Sequence, residues 1–174
     1  MNVDDHLVQK AIDGNDEAFL ELMQAYKLDL FRTALSFFRK KEDALEAIQE
    51  VTYRAYKSIH TIRETSYFKT WLIRIMINYC NDQLKKNKRV VLSDEIFNIQ
   101  GTSENHEGME LKEAMLDLDD RSREILTLKY FHDLKIKEIA SSMQCPEGTV
   151  KTWLNKALKS LRGKLEEKGG NLHV

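Results

Sequence analysis

Apolar residues recur at three- and four-residue intervals through most of the first 88 residues, and this spacing is typical of amphipathic α-helices. The first long run follows Asn15, whose side chain can cap a helix. Its apolar positions are Phe19, Leu22, Met23, Tyr26, Leu30, Ala34 and Phe37. A second run contains Leu45, Ile48, Tyr53, Tyr56 and Ile59, and a third contains Trp71, Leu72, Ile75, Met76 and Tyr79. With a short helix before them, three such helices can close a core, so the pattern predicts a helical bundle.

The periodic pattern stops at residues 90–110, "VVLSDEIFNIQGTSENHEGME". Ser, Asn, Gly and Thr are frequent there, and no apolar period lasts for two turns. An irregular stretch of this length is either a linker or a functional loop. We interpret it as a linker between a first domain, residues 1–89, and a second domain, residues 111–174.

Helical spacing resumes at Leu111 and continues through the second domain. The first apolar positions of this domain are Leu111, Met115, Leu118, Ile125 and Leu128. The segment "KIKEIASSMQ" predicts a shorter helix whose buried side is Ile136, Ile139, Ala140 and Met143. The predicted fold is therefore all-α, with two helical domains joined by a flexible linker.

The stretch "CPEGTVKTWLNKALKSL", residues 145–161, predicts the last helix. Cys145 stands at the N-cap position and Pro146 at the first helical position, where a missing N–H is tolerated. One side of the helical wheel is apolar and carries Val150, Leu154, Ala157, Leu158, Leu161 and Leu165. The opposite side carries Gly148, Thr149, Thr152, Asn155, Lys156 and Lys159, with Lys151 and Trp153 on the flanks.

A short helix, a tight turn and a longer helix match a helix-turn-helix unit, in which the second helix enters the major groove of DNA. Thr, Asn and Lys side chains suit contacts with base edges and phosphates. A plain helical hairpin with a solvated outer face has the same spacing, so the periodicity alone leaves both interpretations open. Trp153 favours the first, because a lone exposed Trp on a basic face is often a contact residue.

The net charge of −1 conceals an uneven distribution of charge along the chain. Residues 69–89 and residues 134–165 are rich in Lys and Arg, whereas residues 90–110 contain acidic residues and no Lys or Arg. Two basic regions indicate two surfaces for a polyanion, although ordinary solvated helix faces would give the same pattern.

Composition narrows the class of protein further. With 7 Gly and 1 Pro among 174 residues, helices are favoured over a turn-rich β protein. Cys80 and Cys145 lie far apart and fit a reducing cytosol. No apolar run reaches the roughly 18 residues of a membrane span, and the acidic start "MNVDDHLVQK" is not a secretory signal. No metal-binding or phosphate-loop motif is present, so we expect no catalytic residue, metal or cofactor.

The segments "RSREILTLKYF", "IKEIA" and "CPEGTVK" resemble, in their order and spacing, the fourth conserved region of bacterial sigma factors of the extracytoplasmic-function (ECF) subfamily. In the first domain, "GNDEAFLELMQAY", "EDALEAIQEV" followed by "RAY", and "SYFKTWLIRIMINYCNDQLKK" look like the second conserved region. The resemblance covers nearly the whole chain. It implies a cytoplasmic subunit that directs RNA polymerase to promoters in a stress or envelope response. It also implies an inhibitory anti-sigma partner, which can be membrane-anchored.

The resemblance implies three sets of contact residues. The residues expected to bind core RNA polymerase are Asp43, Glu46, Ile48, Gln49, Glu50 and Arg54. Those expected to melt and read the minus-ten element, with Tyr67 or Phe68 stacking on a flipped base, are Arg63, Ser66, Tyr67, Phe68, Lys69, Arg74 and Asn78. Those expected to read the minus-thirty-five element as duplex are Thr149, Lys151, Thr152, Trp153, Asn155, Lys156 and Lys159.

Two positions depart from the family pattern, and two alternative classes stay open: a stand-alone DNA-binding regulator and, more remotely, a helical enzyme. Thr52 stands where the family usually has Phe, which puts one packing contact in doubt. Trp153 stands where the family commonly has Arg, which predicts a different preference at the matching base pair. A stand-alone operator-binding repressor or activator would use only the second domain. The polymerase-type signature around Gln49 and Glu50 argues against that alternative.

Overall fold

The computed structural model describes residues 3–91 and 106–169, and these residues form helices and turns without a β-strand. The predicted all-α class is confirmed. The first four helices are α1 (Asp5–Ile12), α2 (Asp16–Phe37), α3 (Lys41–Ser58) and α4 (Phe68–Val91). The next four are α5 (His106–Leu116), α6 (Asp120–Leu126), α7 (Ile136–Met143) and α8 (Glu147–Gly169). Short 3-10 turns join α3 to α4 at Ile59–Thr61 and Thr65–Tyr67, and a π-helical turn, Thr127–Phe131, continues α6.

The chain divides into two compact units, Met1–Asn81 and Asp82–Val174. The division falls within α4, several residues before the expected end of the first domain at residue 89. The predicted start of the second helical region at Leu111 is wrong, because α5 begins at His106. Gly108 obscured that start in the sequence, since Gly is a poor helix former. Of the expected linker, residues 92–105 lie outside the described residues.

α2 forms as its spacing predicts. The side-chain oxygen of Asn15 accepts a hydrogen bond from the backbone N–H of Ala18 at 2.9 Å. This bond satisfies one of the unpaired donors at the start of the helix. Every predicted core side chain of α2, from Phe19 to Phe37, is buried. The predicted cap and the predicted apolar face of this helix are both confirmed.

α3 turns a different side toward the core than its large apolar residues predict. Its buried residues are Ala44, Ala47, Val51 and Ala55. Leu45 and Tyr53 are 44% and 54% exposed, so the expectation that they face the core is wrong. Tyr56 is 52% exposed, although its ring lies 5.2 Å from that of the buried Phe19. The physical reason is close packing: small side chains let α3 lie against α2 along a stripe of alanines.

Aromatic packing anchors the start of α4 within the first unit. Phe68 is 1% exposed. Its ring centroid lies 5.6 Å from that of Tyr26 and 5.8 Å from that of Trp71. Leu72 and Met76 continue the buried side of the helix, whereas Trp71 is only partly buried. The 3-10 turn that ends at Tyr67 is thereby attached directly to a fixed core residue.

A buried arginine closes the C-terminal end of α5 in the second unit. Arg123 is 3% exposed. Its Nε donates to the carbonyl oxygen of Met115 at 3.1 Å. Its Nη2 donates to the carbonyl oxygens of Leu116 at 2.9 Å and Leu118 at 2.6 Å. Carbonyl groups at the end of a helix have no helical partner, so Arg123 satisfies them and ties α5 to α6.

Two features are absent from the part of the chain that the structure describes. No helix there is both long enough and apolar enough to cross a membrane. No group of three or more His, Cys, Asp or Glu side chains there is arranged to hold a metal ion.

Replacing Arg123 with Leu should destabilise the second unit, because the carbonyl oxygens at the end of α5 lose their donors. A buried polar group without a partner costs about 1–3 kcal/mol, so we expect the free energy of unfolding to fall by about 3 kcal/mol. Urea unfolding followed by Trp153 fluorescence, in a Trp71→Phe background, measures this unit. Arg162→Leu changes an exposed arginine and should shift the same quantity by less than about 0.5 kcal/mol. Equal losses in the two variants would contradict the role of Arg123.

Candidate nucleic-acid interface

The predicted helix-turn-helix geometry is present in α7 and α8. α7 ends at Met143, and the residue that follows it, Gln144, adopts the left-handed conformation with φ 53°. The backbone N–H groups of Gln144 and Cys145 then donate to carbonyl oxygens in the last turn of α7. The sequence predicts Pro146 as the first residue of the last helix, but α8 begins one residue later, at Glu147. The carbonyl oxygen of Pro146 accepts a hydrogen bond from the N–H of Thr149 at 3.0 Å.

The outer face of α8 is polar and accessible, as its spacing predicts. Val150, Leu154 and Ala157 form the buried stripe of the helix. The exposed residues of the opposite face are Lys151, Thr152, Asn155, Lys156 and Lys159, while Thr149 and Trp153 are partly exposed. The hydroxyl of Thr152 donates to the carbonyl oxygen of Gly148 at 3.0 Å, so in this conformation its oxygen is available as an acceptor. All the residues expected at the minus-thirty-five element thus lie on one continuous surface or at its edges.

One edge of this surface is completed by α6, which the sequence did not indicate. The guanidinium carbon of Arg121, in the first turn of α6, lies 4.1 Å from the ring centroid of Trp153. Arg121 is exposed. Nothing in the local sequence around Arg121 signals this contact, because α6 precedes the helix-turn-helix and the pairing depends on how α6 packs against α8.

The N-cap of α6 adds an acidic group beside the same edge. Asp119 accepts hydrogen bonds from the backbone N–H of Ser122 at 2.9 Å and from the Ser122 hydroxyl at 2.8 Å. Partial burial by itself would raise the pKa of Asp119. The bonds from Ser122, with the charge of Lys156, outweigh that effect and lower the pKa. The exposed Lys156 therefore interacts electrostatically with the carboxylate of Asp119.

In the first unit, the residues expected at the minus-ten element surround the loop between α3 and α4. Arg63, Ser66 and Asn78 are exposed, and Tyr67, Lys69 and Arg74 are partly exposed. Tyr67 closes the second 3-10 turn, immediately before α4. The loop therefore offers one aromatic ring, Tyr67, together with cationic side chains on either side of it in the sequence.

Phe68 differs from the other members of this set. Its side chain is packed between Tyr26 and Trp71 and is 1% exposed. A base cannot stack on this ring without opening the aromatic cluster. Of the two rings, Tyr67 is the accessible one in this conformation, whereas Phe68 is part of the core.

The polar ridge expected on α3 is present along one side of the helix. Asp43 and Glu46 are exposed, and Glu50 Oε1 lies 2.9 Å from Arg54 Nε. The Arg54 guanidinium also lies 5.2 Å from the centroid of the Tyr79 ring. Burial, followed by the charges of Glu46 and Glu50, raises the pKa of Tyr79. The ridge is therefore joined to α4 at its Arg54 end and open at its Asp43 end.

The remaining members of the α3 set lie off the ridge. Gln49 is exposed and Ile48 is partly buried. Beside Gln49 the sequence reasoning missed an exposed apolar surface formed by Leu45, Tyr53 and Tyr56. The sequence feature that could have indicated this surface is the recurrence of alanines at helical spacing on the opposite, buried side of α3. An exposed surface of this kind, next to a charged ridge, is typical of a protein-contact surface.

The geometry defines the class of the protein first: a helix-turn-helix unit with an open recognition helix, preceded by a separate helical unit with its own polar surface. Comparisons with known proteins agree. Residues 22–90 match the family described as Sigma-70 region 2, and residues 108–161 match Sigma-70, region 4.

Two curated relatives come from Bacillus subtilis (strain 168). RNA polymerase sigma factor SigV is 35% identical over 140 residues, which cover 79% of this chain and 84% of SigV. ECF RNA polymerase sigma factor SigM is 34% identical, with 82% of this chain and 91% of SigM covered.

Two solved structures share the fold. CnrH, solved in complex with the cytosolic domain of CnrY, has a TM-score of 0.69 at 21% identity, covering 95% of this chain and 99% of CnrH. Sigma factor RpoE of Bartonella quintana, solved with the anti-sigma factor NepR, has a TM-score of 0.59 at 23% identity, covering 84% of this chain and 97% of RpoE.

The chain belongs to the ECF family of bacterial RNA polymerase sigma factors. It is a DNA-binding subunit that directs core RNA polymerase to promoters for transcription initiation, and it is not an enzyme. The predicted family and the predicted class of function are confirmed.

The lowered pKa of Asp119 predicts a pH-dependent contribution to stability. A carboxyl whose pKa is lower in the folded state than in the unfolded state stabilises the folded protein. This contribution is complete at pH values above the ordinary pKa of 3.8, and it is lost as the pH falls through the lower pKa of the folded state. Asp119→Ala should lower the free energy of unfolding by about 1 kcal/mol at pH 7, and by less near pH 3. Urea unfolding at both pH values measures this. Asp119→Asn keeps an acceptor and should lose less; a loss from Asp119→Ala that is the same at both pH values would exclude a role for the charge.

Proposed function

We propose that the two units divide promoter recognition, with residues 111–174 reading the minus-thirty-five duplex and residues 1–89 binding core polymerase and opening the minus-ten element. The single observation that carries this proposal is the outer face of α8. Its polar side chains are accessible while Val150, Leu154 and Ala157 hold the other side in the core. In a helix-turn-helix unit that face is the one presented to the major groove.

Side-chain chemistry supports the assignment at the minus-thirty-five element. Thr152 and Asn155 offer hydrogen-bond acceptors and donors suited to base edges, and Lys156 can donate to a guanine or a phosphate. Lys151 stands on the flank of this face and Lys159 lies one turn beyond Asn155, positions that suit contacts with the phosphate backbone. Phosphate contacts fix the register of the helix, whereas base-edge contacts carry sequence information.

For the minus-ten element, the exposure of the loop before α4 supports Tyr67 as the stacking residue. A flipped base needs an accessible aromatic face and nearby cations for the flanking phosphates. Tyr67 is partly exposed, and Arg63 and Lys69 lie near it in the sequence. Asn78, which is exposed farther along α4, supplies an amide for a polar base contact.

For core polymerase, the surface of α3 supports a contact that combines charge with apolar area. Asp43 and Glu46 are exposed acids on one side, and Leu45 and Tyr53 are exposed apolar residues beside them. Protein interfaces commonly combine an apolar centre with a polar rim. The Glu50–Arg54 pair is about half exposed, so it contributes mainly to orientation rather than to stability.

Control by an inhibitory partner is part of the same proposal. RpoE was solved with an anti-sigma factor, and CnrH was solved with the cytosolic domain of its partner. By analogy, an anti-sigma protein, in some cases membrane-anchored, holds this chain inactive in the cytoplasm until a stress or envelope signal releases it. Its two exposed contact surfaces, on α3 and α8, are surfaces that such a partner would cover.

Reversing charge on the α3 ridge should weaken association with core polymerase without unfolding the chain. Asp43→Lys with Glu46→Lys changes two exposed acids outside the Glu50–Arg54 pair, so the cost in stability is small. We expect a loss of affinity of about tenfold or more, because the reversed side chains would place like charges against each other across the interface. Competition with labelled wild type for core polymerase measures this loss.

The matched control for this experiment reverses two other exposed acids of the same unit, Glu17→Lys with Glu21→Lys on α2. It produces the same change in net charge away from the ridge. Equal loss of affinity in the control would attribute the effect to net charge, and unchanged affinity in the ridge variant with intact helicity would reject the proposed surface.

Tyr67 and Phe68 should separate into a binding residue and a folding residue. Tyr67→Ala should weaken promoter opening by about 1–3 kcal/mol, the range for loss of one stacked base, with little effect on unfolding. Phe68→Ala should lower the free energy of unfolding by about 3–5 kcal/mol, because it empties a fully buried site. Open-complex formation and urea unfolding measure the two quantities. Tyr67→Phe keeps the ring and should retain most of the activity; promoter opening that Tyr67→Ala leaves unchanged would reject the assignment.

A further inference from the structure

The contact between Arg121 and Trp153 joins two helices at the edge of the DNA-facing surface. The guanidinium carbon lies 4.1 Å from the indole centroid, a separation at which the planar group stacks on the ring. Arg121 is exposed and Trp153 is partly exposed, so the pair lies at the surface rather than in the core. On the helical wheel, Trp153 falls between Thr149 and the buried stripe, next to Lys156.

The stack determines where the indole of Trp153 points. A large aromatic side chain on the flank of an exposed helix has several staggered conformations available to it. A guanidinium group on one ring face favours the conformation in which that face is covered, and part of the Trp153 side chain remains exposed. Fixing a contact residue before binding removes part of the entropy cost that ordering it would otherwise add.

The two acidic residues that directly precede Arg121 in the sequence both have other partners. Asp119 accepts two hydrogen bonds from Ser122. Asp120 lies 3.3 Å from the buried Arg123. Residues 121 and 123 point to opposite sides of α6, so Arg123 faces the core while Arg121 reaches toward α8.

We propose that Arg121 is a positioning residue for promoter specificity, which holds the Trp153 indole against one base pair of the minus-thirty-five element. The proposal rests on the proposed function, since it requires α8 to lie in the major groove. With one face covered by Arg121, the indole offers an apolar edge suited to a thymine methyl group. Specificity at that base pair then depends on a residue outside the recognition helix.

A direct contact between Arg121 and a phosphate is the competing explanation, and the two differ in what they predict. A phosphate contact lowers affinity equally for all sequences when it is removed, and it lowers the salt slope by about one. A positioning role changes the preference at one base pair and leaves the salt slope nearly unchanged. Lysine separates them further, because it keeps the charge but lacks the planar group that stacks.

The test uses holoenzyme assembled from core polymerase and the full chain, with a promoter library randomised across the minus-thirty-five element. We expect Arg121→Gln to lower the preference at one base pair by about two- to fivefold, the range available to an exposed cation–π contact. Trp153→Ala should affect the same base pair, and the double variant should add little to either single one. Arg121→Lys should restore little of the preference. Arg162→Gln removes an exposed arginine farther along α8 and should leave the preference unchanged.

Two results would overturn the proposal. One is a uniform loss of affinity that Arg121→Lys restores, which assigns Arg121 to a phosphate. The other is an unchanged preference in Arg121→Gln. Lys156→Ala and Thr152→Ala test the proposed function in the same library. If they alter the preference while Arg121→Gln does not, only the positioning role fails; if none of the variants alters it, the proposed function fails as well.

A spectroscopic measurement on the free protein tests the stack without DNA. In a Trp71→Phe background, Trp153 is the one remaining tryptophan, since the chain has two. Arg121→Gln should increase quenching of its fluorescence by acrylamide, because the uncovered indole is more accessible. Arg162→Gln should not. Equal quenching in wild type and Arg121→Gln would show that the contact is not maintained in solution, and the positioning role would be rejected.

Discussion

The packing of one side of α8 determines which of its residues are accessible to a binding partner. Val150, Leu154 and Ala157 are buried. Because the helix repeats every 3.6 residues, burying those three positions leaves Thr152, Asn155 and Lys159 facing solvent. The polar face is thus not selected by its own chemistry. It is set by apolar contacts on the other side, and polar residues there pay no desolvation cost until a partner arrives.

The same dependence on packing extends to α6, which supports α8. The segment "RSR", residues 121–123, places two arginines of identical chemistry in opposite environments. Arg123 is buried and donates to carbonyl groups at the end of α5, whereas Arg121 is exposed and stacks on Trp153. Side chains two residues apart on a helix point in nearly opposite directions. The buried arginine therefore fixes the rotation of α6, and that rotation aims the exposed arginine at α8.

The sequence was sufficient where large apolar residues followed the helical period. That was the case in α2, from Phe19 to Phe37, and in the stripe of α8. It was insufficient in α3, where Ala44, Ala47, Val51 and Ala55 are buried and the large residues Leu45 and Tyr53 are exposed. Periodicity identifies an apolar stripe, but α3 carries two, one of small residues and one of large residues. Close approach of the helix backbones can favour burial of the stripe with the smaller side chains.

The candidate site was predictable to the extent that it lies on a single helix. The outer residues of α8 follow from the spacing around Pro146, whereas burial of Phe68 depends on Tyr26 and Trp71 meeting it in three dimensions. Arg121 could not be found from the helix-turn-helix motif at all, because it belongs to the preceding helix.

This limit has a consequence for how promoter preference should be compared among relatives. If Trp153 simply replaced an arginine of the family pattern, its effect could be read from α8 alone. The stacked Arg121 places a guanidinium group at the same edge of the recognition helix, carried by α6 rather than by position 153. A cation is therefore retained at that edge of α8, while the side chain at position 153 is an indole. Relatives that share the sequence of α8 but differ at position 121 would hold the indole differently, so α6 and α8 must be compared together.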